Sequence, residues 1–270
     1  MGYGIVDPVV CTREPARRAP SIVIRSLARV AWMLLGWLEL IILTLPLYLL
    51  SFLPPAPPGG WYTRLFQAWC RAFVHALGVD LRLHQKNRHP LPDHYLLIAN
   101  HPSAFEDIGI PALFDVDCLA KAEVRDWWIV GRISAAAGTL FVERESKASR
   151  REAVRQITGR LASGRNVALY PEGGVKGKRL HDHFRYGVFE ISLQTGVPIL
   201  PVFIHYEAQD DFYWSDQLLL EKIIDIMATC NNRANYYLFD AFHPEDFSDK
   251  AQYSEAVHRS YLAWQRKYLE

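Results

Sequence analysis

From Val79 onward the chain alternates short apolar runs with longer stretches in which apolar residues recur every three or four positions. Short unbroken or alternating runs fit strands and the 3.6-residue period fits helices, so the pattern predicts an α/β fold, a mixed central sheet flanked by helices. Strands are expected at 79–83 (VDLRL), 95–99 (YLLIA), 118–120 (CLA), 139–142 (TLFV), 166–170 (NVALY), 199–204 (ILPVFI) and 236–242 (YYLFDAF). The clearest helix between them is KASRREAVRQITGRLASG. Ala153, Val154, Ile157 and Leu161 form its apolar face, and Arg150, Arg151, Arg155 and Arg160 occupy the rest. A last helix near 249–267 follows Ser248, a suitable N-cap, with Tyr253, Val257, Tyr261 and Trp264 as its inner stripe. In TGVPILPVFI, prolines flank and interrupt an apolar run, which suggests an edge or irregular strand because proline cannot donate to a ladder.

The N-terminal part has a different pattern. Val30 to Leu53 is a run of 24 residues with Glu39 as its only charge, long enough to cross a bilayer core. No small-residue cleavage site follows, only the rigid PPAPPGG turn, so a retained anchor is expected rather than a signal peptide. Arg13, Arg17, Arg18, Arg25 and Arg29 precede the run, and the positive-inside rule places that end in the cytoplasm. Residues 61–78 then make an amphipathic helix, with Trp61, Leu65, Phe66, Trp69, Phe73, Ala76 and Leu77 on one stripe. That helix either packs on the globular body or lies at the membrane interface. Pro46 and the Pro/Gly turn suit a hairpin that enters one leaflet and keeps everything downstream cytoplasmic, whereas a single span would export it. The expected organisation is a tail (1–23), an anchor of one or two apolar helices (24–78) and a globular domain (79–270).

Composition narrows the function classes. The chain has 270 residues, half of them hydrophobic, and a formal net charge of only +1, which argues against a nucleic-acid partner. Cys11, Cys70, Cys118 and Cys230 are far apart, without C-x-x-C pairs or histidines at zinc spacing, so neither a metal site nor a disulfide framework is suggested. There is no G-x-S-x-G elbow, no phosphate-binding G-x-x-x-x-G-K-[ST] loop and no H-E-x-x-H helix. HDH, residues 181–183, is a short histidine cluster on a loop.

Candidate chemistry lies at strand ends. IANHPSAFEDIG, residues 98–109, sits where a strand gives way to a helix. His101 is suited to proton transfer near neutral pH, and Glu106 or Asp107 could bond its second ring nitrogen, fixing the tautomer and stabilising the imidazolium. GTLFVER, residues 138–144, places Arg144 just after a strand, where it could meet an anion. In ALYPEGGVKGKRL, residues 168–180, a glycine-rich turn follows a strand and Lys176, Lys178 and Arg179 come next, a combination able to bind phosphate.

Taken in order with the proline strand, these stretches resemble the blocks of the glycerolipid acyltransferases, the 1-acylglycerol-3-phosphate (lysophosphatidic acid) acyltransferase family, over Val79 to His205. The apolar N-terminal pair of segments is similar to that family's anchor. The resemblance implies a membrane-bound enzyme of phospholipid synthesis. It would move an acyl chain from acyl carrier protein or coenzyme A to the free hydroxyl of a lysolipid, with no bound cofactor or metal, at the cytoplasmic face of a bacterial inner membrane. It implies that Asn100, His101 and a following acid form the catalytic block, and that Gly138, Phe141 and Arg144 form the glycerol-phosphate block. Tyr170, Pro171, Glu172 and Gly173 would be the Phe-Pro-Glu-Gly block, Pro198 and Pro201 the proline strand, and Lys121 a further basic group for acceptor phosphate. Two departures stand out. The position after His101 and four intervening residues, which the family usually fills with Asp, is Glu106 here, a residue the related lipid A late acyltransferases accept, so spacing selects Glu106 over Asp107. The usual Thr-Arg after Pro-Glu-Gly is replaced by Gly174 and Val175, leaving Lys176 or Lys178 to compensate and widening the acceptors to lyso-ornithine lipid or a lysophospholipid. A non-catalytic lipid-binding relative is the different-class alternative.

Overall fold

A computed structural model describes residues 19–53, 59–175, 177–214 and 218–270. In chain order these form α1 (Ala19–Leu50), α2 (Trp61–Ala76), β1 (Asp80–Gln85), β2 (Leu96–Ala99), α3 (Glu106–Leu113), β3 (Asp117–Lys121), α4 (Val130–Ala136), β4 (Leu140–Val142), α5 (Lys147–Ala162), β5 (Val167–Leu169), α6 (Gly187–Thr195), β6 (Ile199–Tyr206), α7 (Gln209–Phe212), α8 (Leu219–Ala228), β7 (Arg233–Leu238) and α9 (Lys250–Tyr268). Short 3-10 turns cover Ala122–Asp126 and Pro244–Asp246. Arg13, Arg17, Arg18, the 54–58 part of the Pro/Gly turn and Lys176 lie outside the described residues.

The seven strands form one mixed sheet in the order β1-β7-β6-β2-β5-β3-β4. From β6 to β4 all neighbours are parallel, while β7 runs antiparallel to β6 and carries β1 with it. The central strands β2 and β5 are buried along their whole length, the burial expected of strands covered on both faces. Successive side chains of β2 therefore enter different cores: Leu97 and Ala99 pack with α2 and α3, and Leu96 and Ile98 pack with α5, α6 and α9.

β6 is an interior strand, so of the two readings its prolines suggest, edge or irregular, the irregular one holds. Ile199 exchanges both backbone hydrogen bonds with Phe242, and the regular β7 ladder resumes only at Val202 opposite Leu238. Pro201 falls in the gap: its carbonyl accepts from Phe239 N at 3.2 Å, and the interrupted ladder asks no N–H of it. Two helix details also differ from expectation. Asp249 caps α9 by accepting from the Ala251 and Gln252 amides at 2.7 and 2.9 Å, while Ser248 bonds the Gln252 side chain. On α5, Ala153, Ile157 and Leu161 are buried but Val154 is 37% exposed.

α1 lies along the body, with α2 beneath it. Gly36 permits the close approach, since a Cβ there would stand 2.6 Å from the Ala76 amide nitrogen. Tyr62 and Trp69 of α2 hydrogen-bond Leu47 O and Thr44 Oγ1 at 2.9 and 2.7 Å, and Glu39 meets His75 Nδ1 at 3.2 Å. α1 is tied to the globular part at two places, within its first half and just past its C-terminus. Arg29 donates to Thr229 O at 2.9 Å, and Arg132 donates to Ser51 Oγ at 3.1 Å while its guanidinium lies 3.5 Å over the Phe52 ring. The outer side of α1 is bare and apolar, with Leu34, Ile41 and Leu45 more than 60% exposed. Against the alternatives left by its pattern, α2 packs on the body, burying Phe66, Trp69 and Cys70.

Candidate active site

Five adjacent parallel strands end at one edge of the sheet, and each delivers a side chain there. In spatial order they are Tyr206 from β6, His101 after β2, Tyr170 and Glu172 after β5, Lys121 at the end of β3 and Arg144 after β4. This carboxyl edge is where open parallel sheets form their crevices, because the chain must leave the sheet and the departing loops diverge.

Asn100 marks the exit of β2. Its side-chain amide donates to Ile204 O at 2.9 Å and accepts from Ile204 N at 2.7 Å, extending the ladder to β6 by one side chain and fixing where the loop starts. Glu172 then clamps the next residue. It is buried, and its two oxygens accept from the backbone amides of His101 (2.8 Å) and His181 (2.9 Å). Burial raises the Glu172 carboxyl, and the two amides oppose that by stabilising the anion. Glu172 thus fixes the chain around His101 and does not line the cavity.

The His101 ring is 5% exposed and stacks on Tyr170 with centroids 4.0 Å apart and planes 7° off parallel. Its Nδ1 lies 2.7 Å from Glu106 Oε2. Glu106 is fully buried in the first turn of α3; Oε2 also accepts from Ser103 N at 3.1 Å, and Oε1 accepts from the Tyr206 hydroxyl. An ionised carboxylate can only accept, so Nδ1 carries the imidazole proton and the lone pair is on Nε2. Burial lowers the His101 pKa, which keeps the ring neutral and able to accept a proton at neutral pH. Burial also raises Glu106 well above the ordinary carboxyl value, against the Tyr206 and Ser103 donors.

Asp107 does not bond His101. One residue further on, its side chain points about 100° away around the helix and lines a cavity instead. Its carboxyl is raised by burial, opposed by the charges of His101 and Arg144.

That cavity, about 790 Å³, begins at His101, Asp107, Lys121 and Arg144 and continues between apolar walls that include Phe66, Trp69 and Phe73 of α2 and Ile223 and Ile226 of α8. The lining is mainly apolar with several charged groups among it, Lys222 of α8 included, a combination suited to a head group with a chain. Lys121 Nζ pairs with Glu123 at 2.7 Å on the wall. The glycines of the Pro-Glu-Gly-Gly turn are sterically required. A Cβ on Gly174 would lie 2.7 Å from Arg144 Nη1, and one on Gly173, whose φ is +76°, would lie 2.2 Å from Arg185 Nε. Arg144, Arg185 and Arg150 also line a smaller pocket of about 190 Å³ behind the turn.

Not every candidate residue reaches the cavity. Gly138, at φ +100°, backs onto Asp117, and Phe141 faces the Arg125 guanidinium at 5.9 Å. Lys178 is turned away to an ion pair with Asp210, and Lys176 is outside the described residues. Sequence reasoning missed Tyr206, Ser103 and Arg185. The first arrives from a strand 100 residues after Glu106, and Arg185 is 11 positions beyond Gly174 in a loop without a recognisable pattern. No local signal marks either.

Comparisons with known proteins agree on one family. Residues 80–205 match the family model described as Acyltransferase. The lyso-ornithine lipid O-acyltransferase of Rhizobium meliloti (strain 1021) is 35% identical over 153 residues, covering 56% of this chain and 49% of that protein. The Pseudomonas aeruginosa protein of the same name is 33% identical over 174 residues, 62% of this chain and 66% of its own. The 1-acyl-sn-glycerol-3-phosphate acyltransferase of Neisseria meningitidis serogroup B is 27% identical over 139 residues, covering 50% of this chain and 53% of that protein. The chain thus spans about half to two thirds of the length of the curated relatives it matches. The crystal structure of the 1-acyl-sn-glycerophosphate (LPA) acyltransferase PlsC from Thermotoga maritima superposes with a TM-score of 0.62 at 18% identity, covering 90% of this chain and 97% of that one. This likeness supports the fold.

Proposed function

Because residues 80–205 form a domain of the acyltransferase family, we propose that this chain transfers a fatty acyl group from a thioester to the free hydroxyl of a lysolipid. The observation that carries the proposal is the buried His101–Glu106 pair, joined at 2.7 Å, with His101 on the wall of a mainly apolar cavity that Asp107, Lys121 and Arg144 also line. His101 Nε2 takes the hydroxyl proton as the acceptor oxygen attacks the thioester carbonyl carbon. A C–O bond forms, the C–S bond breaks, and the departing thiolate receives the proton from the imidazolium. Glu106 holds the ring in the tautomer that accepts at Nε2 and stabilises its positive charge during the step, the carboxylate–histidine half of triad logic. Asn100 and Glu172 position the loop, and Arg144 and Lys121 face the acceptor's anionic group. The thioester carrier is acyl carrier protein or coenzyme A.

Two findings support lyso-ornithine lipid as the acceptor to test first, beside lysophosphatidic acid. The guanidinium the family places after Pro-Glu-Gly is replaced by Val175, and two of the relatives above, at 35% and 33% identity, are lyso-ornithine lipid O-acyltransferases. For the membrane, α1 supports a monotopic arrangement. A helix tied to the body at Arg29 and, just past its C-terminus, at Ser51 lies along the domain and immerses its bare side in one leaflet. The arginine-rich N-terminal flank supports a cytoplasmic location for the domain.

The test is an acyl-transfer assay on the full chain in detergent, with acyl-CoA and acyl carrier protein donors and a panel of lysophosphatidic acid, lyso-ornithine lipid and lysophospholipids, products read by mass spectrometry. Transfer to at least one acceptor, abolished in His101→Ala, is expected. Folded protein that acylates none of them refutes the proposal.

A further inference from the structure

Two walls of the cavity each carry a second apolar face that points outward. On one side is α8, whose Leu219, Ile223 and Ile226 line the cavity. At about 100° per residue, Leu220 and Ile224 fall on the neighbouring face and Glu221 and Asp225 on a third. Leu220 is 72% exposed and Ile224 63%, positions that a helix facing water would give to polar residues. The helix is firmly seated, since buried Lys222 donates to Asp211 O at 2.9 Å. On the other side Val124, Trp127 and Val130 line the cavity, while Trp128 projects outward at 79% exposure.

Each of these walls adjoins one end of α1. Ile224 and Met227 share a shallow groove with Val30 and Met33 of α1, and Arg29 bonds the chain just beyond α8. Trp128 lies against Tyr48 near the other end of α1, with ring centroids 6.4 Å apart. The exposed apolar surface therefore continues from α8 across α1 to Trp128, more than a water-facing monomer leaves bare. Arg125 and Arg132 flank it, exposed and able to reach lipid phosphates from its border.

We propose that α8 and the Trp127–Ile129 segment are membrane-inserted lips of the cavity, immersed with α1 in the same leaflet, and that the acceptor lipid passes between them from the bilayer without crossing water. The identity of the lipid that enters rests on the acyltransferase reading above; the membrane contact of α8 rests on the exposed surface alone. Continuity with α1 selects a bilayer rather than a protein partner as the occupant.

Two measurements test this. In a Cys11→Ser/Cys230→Ser background, a fluorophore attached at Ile224→Cys is expected to be quenched on vesicles of phosphatidylethanolamine and phosphatidylglycerol with brominated acyl chains. No quenching there, while a label at Ile41→Cys on α1 is quenched, overturns the proposal. Second, the Leu220→Gln/Ile224→Gln variant is expected to lose at least about tenfold in transfer to a long-chain lysolipid held in vesicles. Transfer to a short-chain, water-soluble acceptor should stay within about twofold, because neither side chain lines the cavity. Equal losses on both acceptors, or none on either, overturn it. A wild type that acylates neither acceptor refutes the enzymatic reading instead, and the quenching result then decides the lip.

Discussion

Removing the charge from Glu106 while keeping its shape isolates what the acid does. In Glu106→Gln the side-chain oxygen is held at the Oε2 position, because the Ser103 amide that donates there at 3.1 Å needs an acceptor. The new NH2 group then faces Tyr206, whose hydroxyl can accept from it and turn its own proton toward Tyr236, 3.4 Å away. His101 Nδ1 still finds an acceptor, so the productive tautomer survives and only the negative charge is lost. Opposite charges 4 Å apart attract by about 4 kcal/mol at an effective dielectric of about 20. A neutral amide retains part of this through its hydrogen bond, leaving a loss of about 3–4 kcal/mol, or roughly 10²–10³-fold in kcat with KM little changed. Asp107→Asn removes a charge that faces the cavity and bonds no ring nitrogen, and it should cost less than about tenfold. The assay is steady-state acyl transfer on the acceptor that the panel identifies, with circular dichroism and thermal melting to show that each variant folds. If Asp107→Asn loses as much kcat as Glu106→Gln, or more, the pairing seen in the structure is not the one used in catalysis.

Three other outcomes follow from the same geometry. Burial lowers His101 below its usual value of 6.5 and raises Glu106. Because turnover needs neutral His101 and ionised Glu106, activity should be full at higher pH and fall as pH drops. Tyr206→Phe removes a donor to the carboxylate, so the Glu106 pKa rises further and the acid limb of the pH–rate profile should move to higher pH; an unmoved or lowered limb contradicts this. Arg165 donates at 2.9 Å to Asp117, which is almost wholly buried, so Arg165→Leu leaves that carboxylate only the more distant Arg160 guanidinium at 3.5 Å and should cost up to about 3–5 kcal/mol in a thermal or urea melt, with part recovered in Arg165→Leu/Asp117→Asn. Gly173→Ala puts a Cβ onto Arg185 at a left-handed φ, and should lower both melting temperature and activity, whereas Gly187→Ala, with nothing within 4 Å of its Cβ, should change neither by much.

These positions also show what a linear sequence can and cannot reveal here. All seven strands were legible, β2 and β5 because strands covered on both faces are dense apolar runs, although β7 runs over Arg233–Leu238 and not 236–242; the strand order, set by nonlocal pairing, was not. For β6 the prolines left edge and irregular both open, and the choice is nonlocal: whether Pro201 disrupts a ladder depends on the interruption opposite it between Phe239 and Phe242, 38 residues away at its nearest point. The same division holds at the site. His101 and Glu106 are five residues apart at the start of a helix; the residues alone left two consecutive acids open, and the resemblance to the family's spacing selected the one that the helix turns toward the ring, its neighbour pointing about 100° away. The groups that tune the pair come from elsewhere. Tyr206 meets Glu106 only because β6 is the spatial neighbour of β2, and Lys178, placed by its proximity to a glycine turn, is claimed by Asp210 of α7. α8 was missed for a related reason. Its ten residues are apolar on two faces, one lining the cavity and one bare, and periodicity reports how many faces are apolar without saying what covers each. Local spacing therefore fixes which groups can share a proton, while the strand order decides how strongly that proton is held.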